Sequence, residues 1–221
     1  MRCCAHIVRA VLSTLVTVLV LASVGVVPSR VAAFVLDDFT DGVATKTGRG
    51  LEQKTRGSLT RDDGSALRGV LGGTRQVVLK FDNGSGASEA CSVAIDPAVA
   101  GLSYSSSGRA DCAVELTYSA GGRGLRTDLS SVRGIRVVVD ADSSSLPYTV
   151  TLTLRDSSSR SASTTRTVTR SGAQQIDLLF ELSGSVNMKR IDQVRIVIDP
   201  PAAADLVVSR IETLASGMKG R

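Results

Sequence analysis

The amino-acid sequence predicts an all-β protein, an antiparallel β-sandwich of jelly-roll type preceded by an N-terminal signal helix. Three observations predict it. Apolar residues recur at every second position in short runs along most of the chain. Clusters of Gly, Ser, Asp and Pro separate those runs at roughly 8–12 residue spacing. Beyond residue 33 no stretch shows the three-and-four repeat of an amphipathic helix. The pattern is plainest from Asp128 to Asp156, where Ile135, Val137 and Val139 share one face and Val150, Leu152 and Leu154 another. Thr149, Thr151 and Thr153 turn the other way, and the two strands read as a hairpin closed by a short polar loop.

The first element is the signal. Arg2 and Arg9 precede an uncharged run from Ala10 to Val27, and Val31 and Ala33 are small residues ahead of Phe34. A basic start, an apolar run and small residues at the −3 and −1 positions predict a secretory peptide over 1–33 with cleavage between Ala33 and Phe34. The run is also near the lower length of a membrane-spanning helix, so an uncleaved anchor is the alternative, and membrane contact is expected only through this segment. Residues 34–214 then form one β-sandwich domain, and 215–221 are a polar tail.

Within the domain, Phe34 to Phe39 give a short strand turned by Thr40-Asp41-Gly42, and Val43 to Arg68 read as loops and irregular edge strands. Leu71-Gly-Gly-Thr74 turns into a strand from Arg75 to Phe81 with Val77, Leu79 and Phe81 inward. Ala90 to Ile95, Gly101 to Ser105 and Ala110 to Tyr118 follow as a meander. After the central pair come Ser163 to Thr169, Gln175 to Leu182, Gln193 to Asp199 stopped by Pro200-Pro201, and Leu206 to Thr213.

Charge and composition exclude several functions. Of 26 basic residues three lie in 1–33, and of 21 acidic residues none does, leaving 23 against 21. That near-balance gives a nucleic-acid or anionic-membrane function little support, since either would want a concentrated basic face. The single histidine, His6, is in the signal, so the exported chain has no imidazole for Ser-His-Asp or Cys-His catalysis or for a histidine metal site. Tryptophan is absent, and four Phe and three Tyr are the only rings on which a sugar could stack. Tyr104 and Tyr118 share their faces with Leu102 and with Val114 and Leu116, which makes both core residues.

The opening Val35-Leu-Asp-Asp-Phe-Thr-Asp-Gly42, the middle Asp128-Leu-Ser-Ser-Val-Arg-Gly-Ile-Arg-Val137 and the closing Ile191-Asp-Gln-Val-Arg-Ile-Val-Ile198 with Leu206-Val-Val-Ser-Arg-Ile211 resemble the galactose-binding-domain-like jelly rolls. Leu71-Gly-Gly-Thr-Arg75 before a strand resembles, more narrowly, a group of uncharacterised exported bacterial proteins of that shape. The resemblance implies two stacked antiparallel sheets, a module that binds glycans or cell-surface material, and in some members a structural calcium ion joining the first and last strands. Asp37, Asp38 and Asp41, with Asp205 or Glu212, are the calcium candidates here. Ser209-Arg210-Ile211 places a cation where such modules carry an acid, and turn capping by these Asp residues is the alternative. No other cofactor is expected.

Cys91 and Cys112 are the only cysteines beyond the signal, and export favours a bridge between them. A plain meander would hold them about 9–10 Å apart, beyond the roughly 7 Å a disulfide spans. Either a bulge or a strand crossing to the other sheet brings them together, or the two are buried thiols. Arg155, Arg160, Arg166 and Arg170 decorate one Ser- and Thr-rich hairpin and are candidates for an anionic wall polymer, or else simply protect a sheet edge with charge. The reading is a non-catalytic secreted or cell-surface module that binds an extracellular glycan or cell-envelope component. The alternative is a structural envelope or matrix protein that self-associates through sheet edges. A glycoside hydrolase would need a carboxylate pair that no spacing here reveals.

Overall fold

The computed structural model describes residues 33–41, 51–53, 57–63, 66–83, 89–96, 100–180 and 185–215. The expected signal helix, its cleavage or anchoring, and residues 216–221 of the tail lie outside them. Thirteen strands follow in chain order: β1 (Val35–Asp37), β2 (Leu51–Gln53), β3 (Gly57–Asp63), β4 (Arg75–Asn83), β5 (Cys91–Asp96), β6 (Gly101–Ser106), β7 (Asp111–Tyr118), β8 (Val132–Ala141), β9 (Tyr148–Asp156), β10 (Ser161–Val168), β11 (Gly172–Leu179), β12 (Ile191–Asp199) and β13 (Asp205–Ala215). The outer strands β2 and β3 fall in the stretch expected to hold loops and irregular edges.

Sheet A runs β11-β8-β13-β6-β5-β2, with β1 also paired to β13, and sheet B runs β10-β9-β12-β7-β4-β3. Every paired strand is antiparallel. The chain forms the jelly-roll sandwich that its alternation predicts. Alternate residues of the inner strands, such as Val77 and Leu79 of β4 and Ile135 and Val137 of β8, meet in one core between the sheets. A buried aliphatic side chain of this kind contributes about 1.5–3 kcal/mol.

Two expectations about neighbouring strands need correction. The central pair is not a hairpin: β8 bonds to β11 and β13 in sheet A, whereas β9 bonds to β10 and β12 in sheet B. Two strands with equally dry faces can satisfy those faces by stacking across the core instead of lying side by side, and this loop crosses the sandwich. The meander is likewise broken. β5 and β6 form a hairpin in sheet A, and β7 crosses to sheet B. That crossing closes the distance between the cysteines. Cys91 and Cys112 form a disulfide with Cα atoms 6.4 Å apart, stapling β5 of one sheet to β7 of the other.

A second tie between the sheets is polar. Asp37 on β1 and Arg75, the first residue of β4, form an ion pair whose side chains are both 0% exposed. Arg75 Nη1 donates to both carboxylate oxygens of Asp37 at 2.7 Å, and Nη2 donates to the Asp41 carbonyl at 2.9 Å. The Tyr118 hydroxyl on β7 and the Phe39 amide donate to the same carboxylate at 2.8 and 2.9 Å. The guanidinium lies 5.2 Å from the centre of the Phe39 ring. Burial raises the Asp37 carboxyl above the ordinary range, and Arg75 with the other two donors pulls against it.

Removing one partner strands a buried charge, so Asp37→Ala or Arg75→Met is expected to lose about 3–5 kcal/mol in urea denaturation. Replacing both by Leu and Met is expected to recover most of that loss, and a double variant as unstable as the single ones would contradict the pairing. Removing the bridge by Cys91→Ala with Cys112→Ala is expected to lower stability by about 3 kcal/mol, read by the same denaturation.

Candidate functional site

The outer face of sheet A carries an open depression. Register sets its composition. One row across the strands is Ala173, Asp140, Val207, Ser103 and Ala94, and beside it Asp205 stands opposite Ser105, which faces Ser92. Small side chains on β5 and β6 leave a trough of about 640 Å³, walled at one side by Asp142, Ser143, Ser171 and Gly172. Val207, 39% exposed, is the one exposed large apolar side chain among the described residues and lies on the trough floor.

Three carboxylates and no arginine or lysine line this trough. Asp142 is occupied by its own loop: the Ser144 hydroxyl donates to it at 2.7 Å, the Ser145 amide at 2.9 Å, and the Ser145 hydroxyl donates as well. Those bonds hold its carboxyl below the usual range. Asp140 is exposed. Beyond the Ser209 bulge the same face changes character. There Arg136 pairs with Asp177 at 2.8 Å and Arg210 with Glu212 at 2.9 Å, so charge is neutralised within the protein.

Among the described residues no aromatic ring is exposed. Tyr104, Tyr118, Tyr148, Phe39 and Phe81 are buried, and Phe34 and Phe180 are partly buried against the core. Tyr104 lies under the trough, but its ring turns inward and its hydroxyl donates to the Cys112 carbonyl at 3.0 Å. Burial holds the hydroxyls of Tyr104 and Tyr148 up at about 12, so both stay protonated.

The residues singled out in the sequence are placed differently from one another. Asp37 is bound by Arg75 and Tyr118, and Asp38 accepts from the Thr40 amide and hydroxyl at 3.0 and 2.6 Å. Asp205 is distant from both, because Asp37 pairs with Ile211, six residues along β13, or about 20 Å. Among the described residues no three His, Cys, Asp or Glu side chains are grouped to hold a metal ion. Asp205 instead borders the trough, with Ser92, Ser103, Ser105 and Asp140 that sequence reading missed. Their outward parity is visible in the sequence, but which strands lie side by side is not.

The four arginines do not form one patch. Arg160 is held at the β9–β10 turn by Asp156, at 2.9 Å from Nε and 2.8 Å from Nη2. Arg155 stands opposite Ser161 near that turn. Arg166 and Arg170 lie toward the other end of β10, in a groove of about 370 Å³ between β10 and β11 that also holds Asp177. Asp156 is a buried hub that also accepts from the amides of Asn187 and Ser158 at 2.8 Å and of Arg160 at 3.1 Å. The Asn187 amide first, and then Arg160 and the Ser158 amide, hold its carboxyl down at about 2 against the opposing effect of burial.

The chain matches no protein-family model and no curated protein sequence. Among solved structures it is similar to the family 11 carbohydrate-binding module from Clostridium thermocellum in complex with a β-1,3-1,4-mixed-linked tetrasaccharide, at 14% identity over 83% of this chain and 96% of that one, TM-score 0.45. The family 11 module of a cellulosomal cellulase of the same organism aligns at 12% identity over 85% and 97%, TM-score 0.43. The xylanase 10B structure of that organism, with a carbohydrate-binding module and a catalytic module complexed with xylohexaose, aligns at 9% identity over 83% of this chain and 29% of that one, TM-score 0.39. At these identities and scores no ligand and no binding residue passes to this chain.

The Asp156 hub carries a pH dependence. Its folded pKa lies below that of an unfolded Asp, so between the two the unfolded chain binds more protons and stability rises with pH. The contribution is complete above about pH 5 and is lost as the pH falls toward about 2. The thermal midpoint is expected to fall over that window, and Asp156→Asn to show a lower midpoint at neutral pH with a shallower acid limb. An acid limb unchanged in Asp156→Asn would contradict this.

Proposed function

We propose that the protein is a non-catalytic binding module that holds an extracellular or cell-envelope glycan in the trough of sheet A. The observation that carries this reading is the trough: an open, serine-floored depression with carboxylates and no cation on its lining. Sugar hydroxyls both donate and accept, so Asp140 and Asp205 can take their protons while the hydroxyls of Ser92, Ser103 and Ser105 serve in either direction. Recognition rests on these hydrogen bonds, since no ring is exposed for stacking. A lining with three carboxylates repels uronate, sulfate and phosphate polymers and admits neutral or amine-bearing chains.

The non-catalytic reading draws support from where acidity is perturbed. A glycosidase needs a carboxyl raised by its surroundings beside a second one in the cleft. Among the described residues the Asp carboxyls raised by burial are Asp37, in the buried ion pair, and Asp199 on β12, where Asp111 and Asp82 add to the effect. Neither lines the trough. The inter-sheet disulfide supports an oxidising compartment, consistent with export through 1–33.

Isothermal titration against neutral, amine-bearing and uronic-acid oligosaccharides tests the proposal. Binding is expected for the first two classes and not the third. Asp140→Ala is expected to weaken it about tenfold, the loss of one charge-assisted hydrogen bond. Ser103→Arg, which fills the floor, is expected to abolish it. Binding to none of the three, or binding that both substitutions leave unchanged, would overturn the proposal.

A further inference from the structure

Each sheet of the sandwich ends in strands with one unpaired edge, and β10 ends sheet B beside β9. Its pairing with β9 runs through all eight residues from Ser161 to Val168 without a bulge, so the edge is regular. Folded proteins blunt such edges with Pro, charged side chains, bulges or very short strands. β10 has no Pro, Lys or bulge, and its single charged side chain is Arg166. Arg166 leans toward the next strand, its Nε donating to the Asp177 carbonyl of β11 at 3.5 Å. By contrast β2, at one end of sheet A, is three residues long.

We infer that β10 is a self-association edge at which two copies of this chain pair antiparallel to make one continuous sheet. This inference is independent of the trough, which lies on the other sheet. The occupant is argued from register. A two-fold axis perpendicular to the sheet keeps both outer faces on one side only if odd residues oppose odd ones, because a one-residue slip exchanges the faces. An axis at Thr165 sets Thr165 against Thr165 of the second copy, Ser163 against Thr167, Thr164 against Arg166 and Ala162 against Val168. Hydroxyls meet hydroxyls, the aliphatic pair stays together, and no like charges meet. An axis at Arg166 would oppose two guanidinium groups, and one at Thr164 would set Arg166 against Ala162. The hydroxyl rows already exist inside one copy. Thr151 and Thr165 are 2.9 Å apart and Thr153 and Ser163 2.8 Å, so pairing extends a ladder that β9 and β10 have begun.

Sedimentation velocity over a concentration series, on the protein recovered from an exporting host, tests this. A monomer–dimer equilibrium is expected. Thr165→Lys, at an exposed position, places two ammonium groups at the axis and is expected to weaken the dimer about tenfold or more with the fold intact by circular dichroism. Thr165→Cys brings two Cα atoms within the roughly 4.5–5.5 Å of directly opposed residues and is expected to link the copies under mild oxidation. Ser161→Cys, far from the axis, is expected not to. A monomer at every concentration overturns the inference. So does a dimer that Thr165→Lys leaves intact and Thr165→Cys does not link, since it would form through another surface.

Discussion

One buried charge pair ties β1 of one sheet to β4 of the other. β1 is only three residues long and bonds to β13, so its own ladder does little to fix where the N-terminal end of the domain sits. Asp37 supplies the missing constraint, because Arg75 and Tyr118 reach it from the opposite sheet. A buried ion pair of this kind contributes little net stability over an apolar packing of the same shape. What it adds is selectivity: docking β1 one residue out of place would leave an arginine and a carboxylate buried and unpaired. The turn Leu71–Gly73, which bonds through Gly73 to Val70, delivers Arg75 to that position. Gly72 has φ +74°, and a Cβ there would strike Leu125, so the turn needs a glycine. The disulfide does for β5 and β7 what the ion pair does for β1 and β4.

With the sheets so fixed, the core takes the rings and leaves the surface polar. All three tyrosines and two of the four phenylalanines are buried. The outer face of sheet A then divides at the Ser209 bulge. On one side arginines and acids neutralise each other, and on the other small residues of β5 and β6 leave carboxylates without cations. That asymmetry is the feature on which the proposed hydrogen bonding to a polyhydroxylated chain rests. The arginines sit elsewhere, and Arg160 is a structural partner of Asp156.

Much of the fold is legible in the residues, and its limits have physical causes. Period-two alternation gives the strands from β4 to β13 to within a few residues, because all of them but β10 have a dry face. Alternation says nothing about which strand lies beside which, so Ile135 to Leu154 reads as a hairpin when its two halves face each other across the core. Cys91 and Cys112 carry part of that information in another form, since a bridge between them calls for a bulge or a crossing, and β7 crosses. Arg75 is a missed signal. It shares parity with Val77, Leu79 and Phe81, and a charge on a dry face requires a partner. The trough is the least legible feature. Ser92, Ser103, Ser105 and Asp140 come from three strands whose neighbours are set only by the finished topology.

Mapping a titration on backbone amide resonances tests the central claim most directly, that this fold presents its ligand surface on sheet A. With a neutral oligosaccharide added, the account predicts shifts concentrated at Ser92, Ala94, Ser103, Ser105, Asp140 and Val207. The residues of sheet B, including Thr151 and Thr165, are expected to stay still. Shifts confined to the threonine face of sheet B or to the groove between β10 and β11 would contradict it.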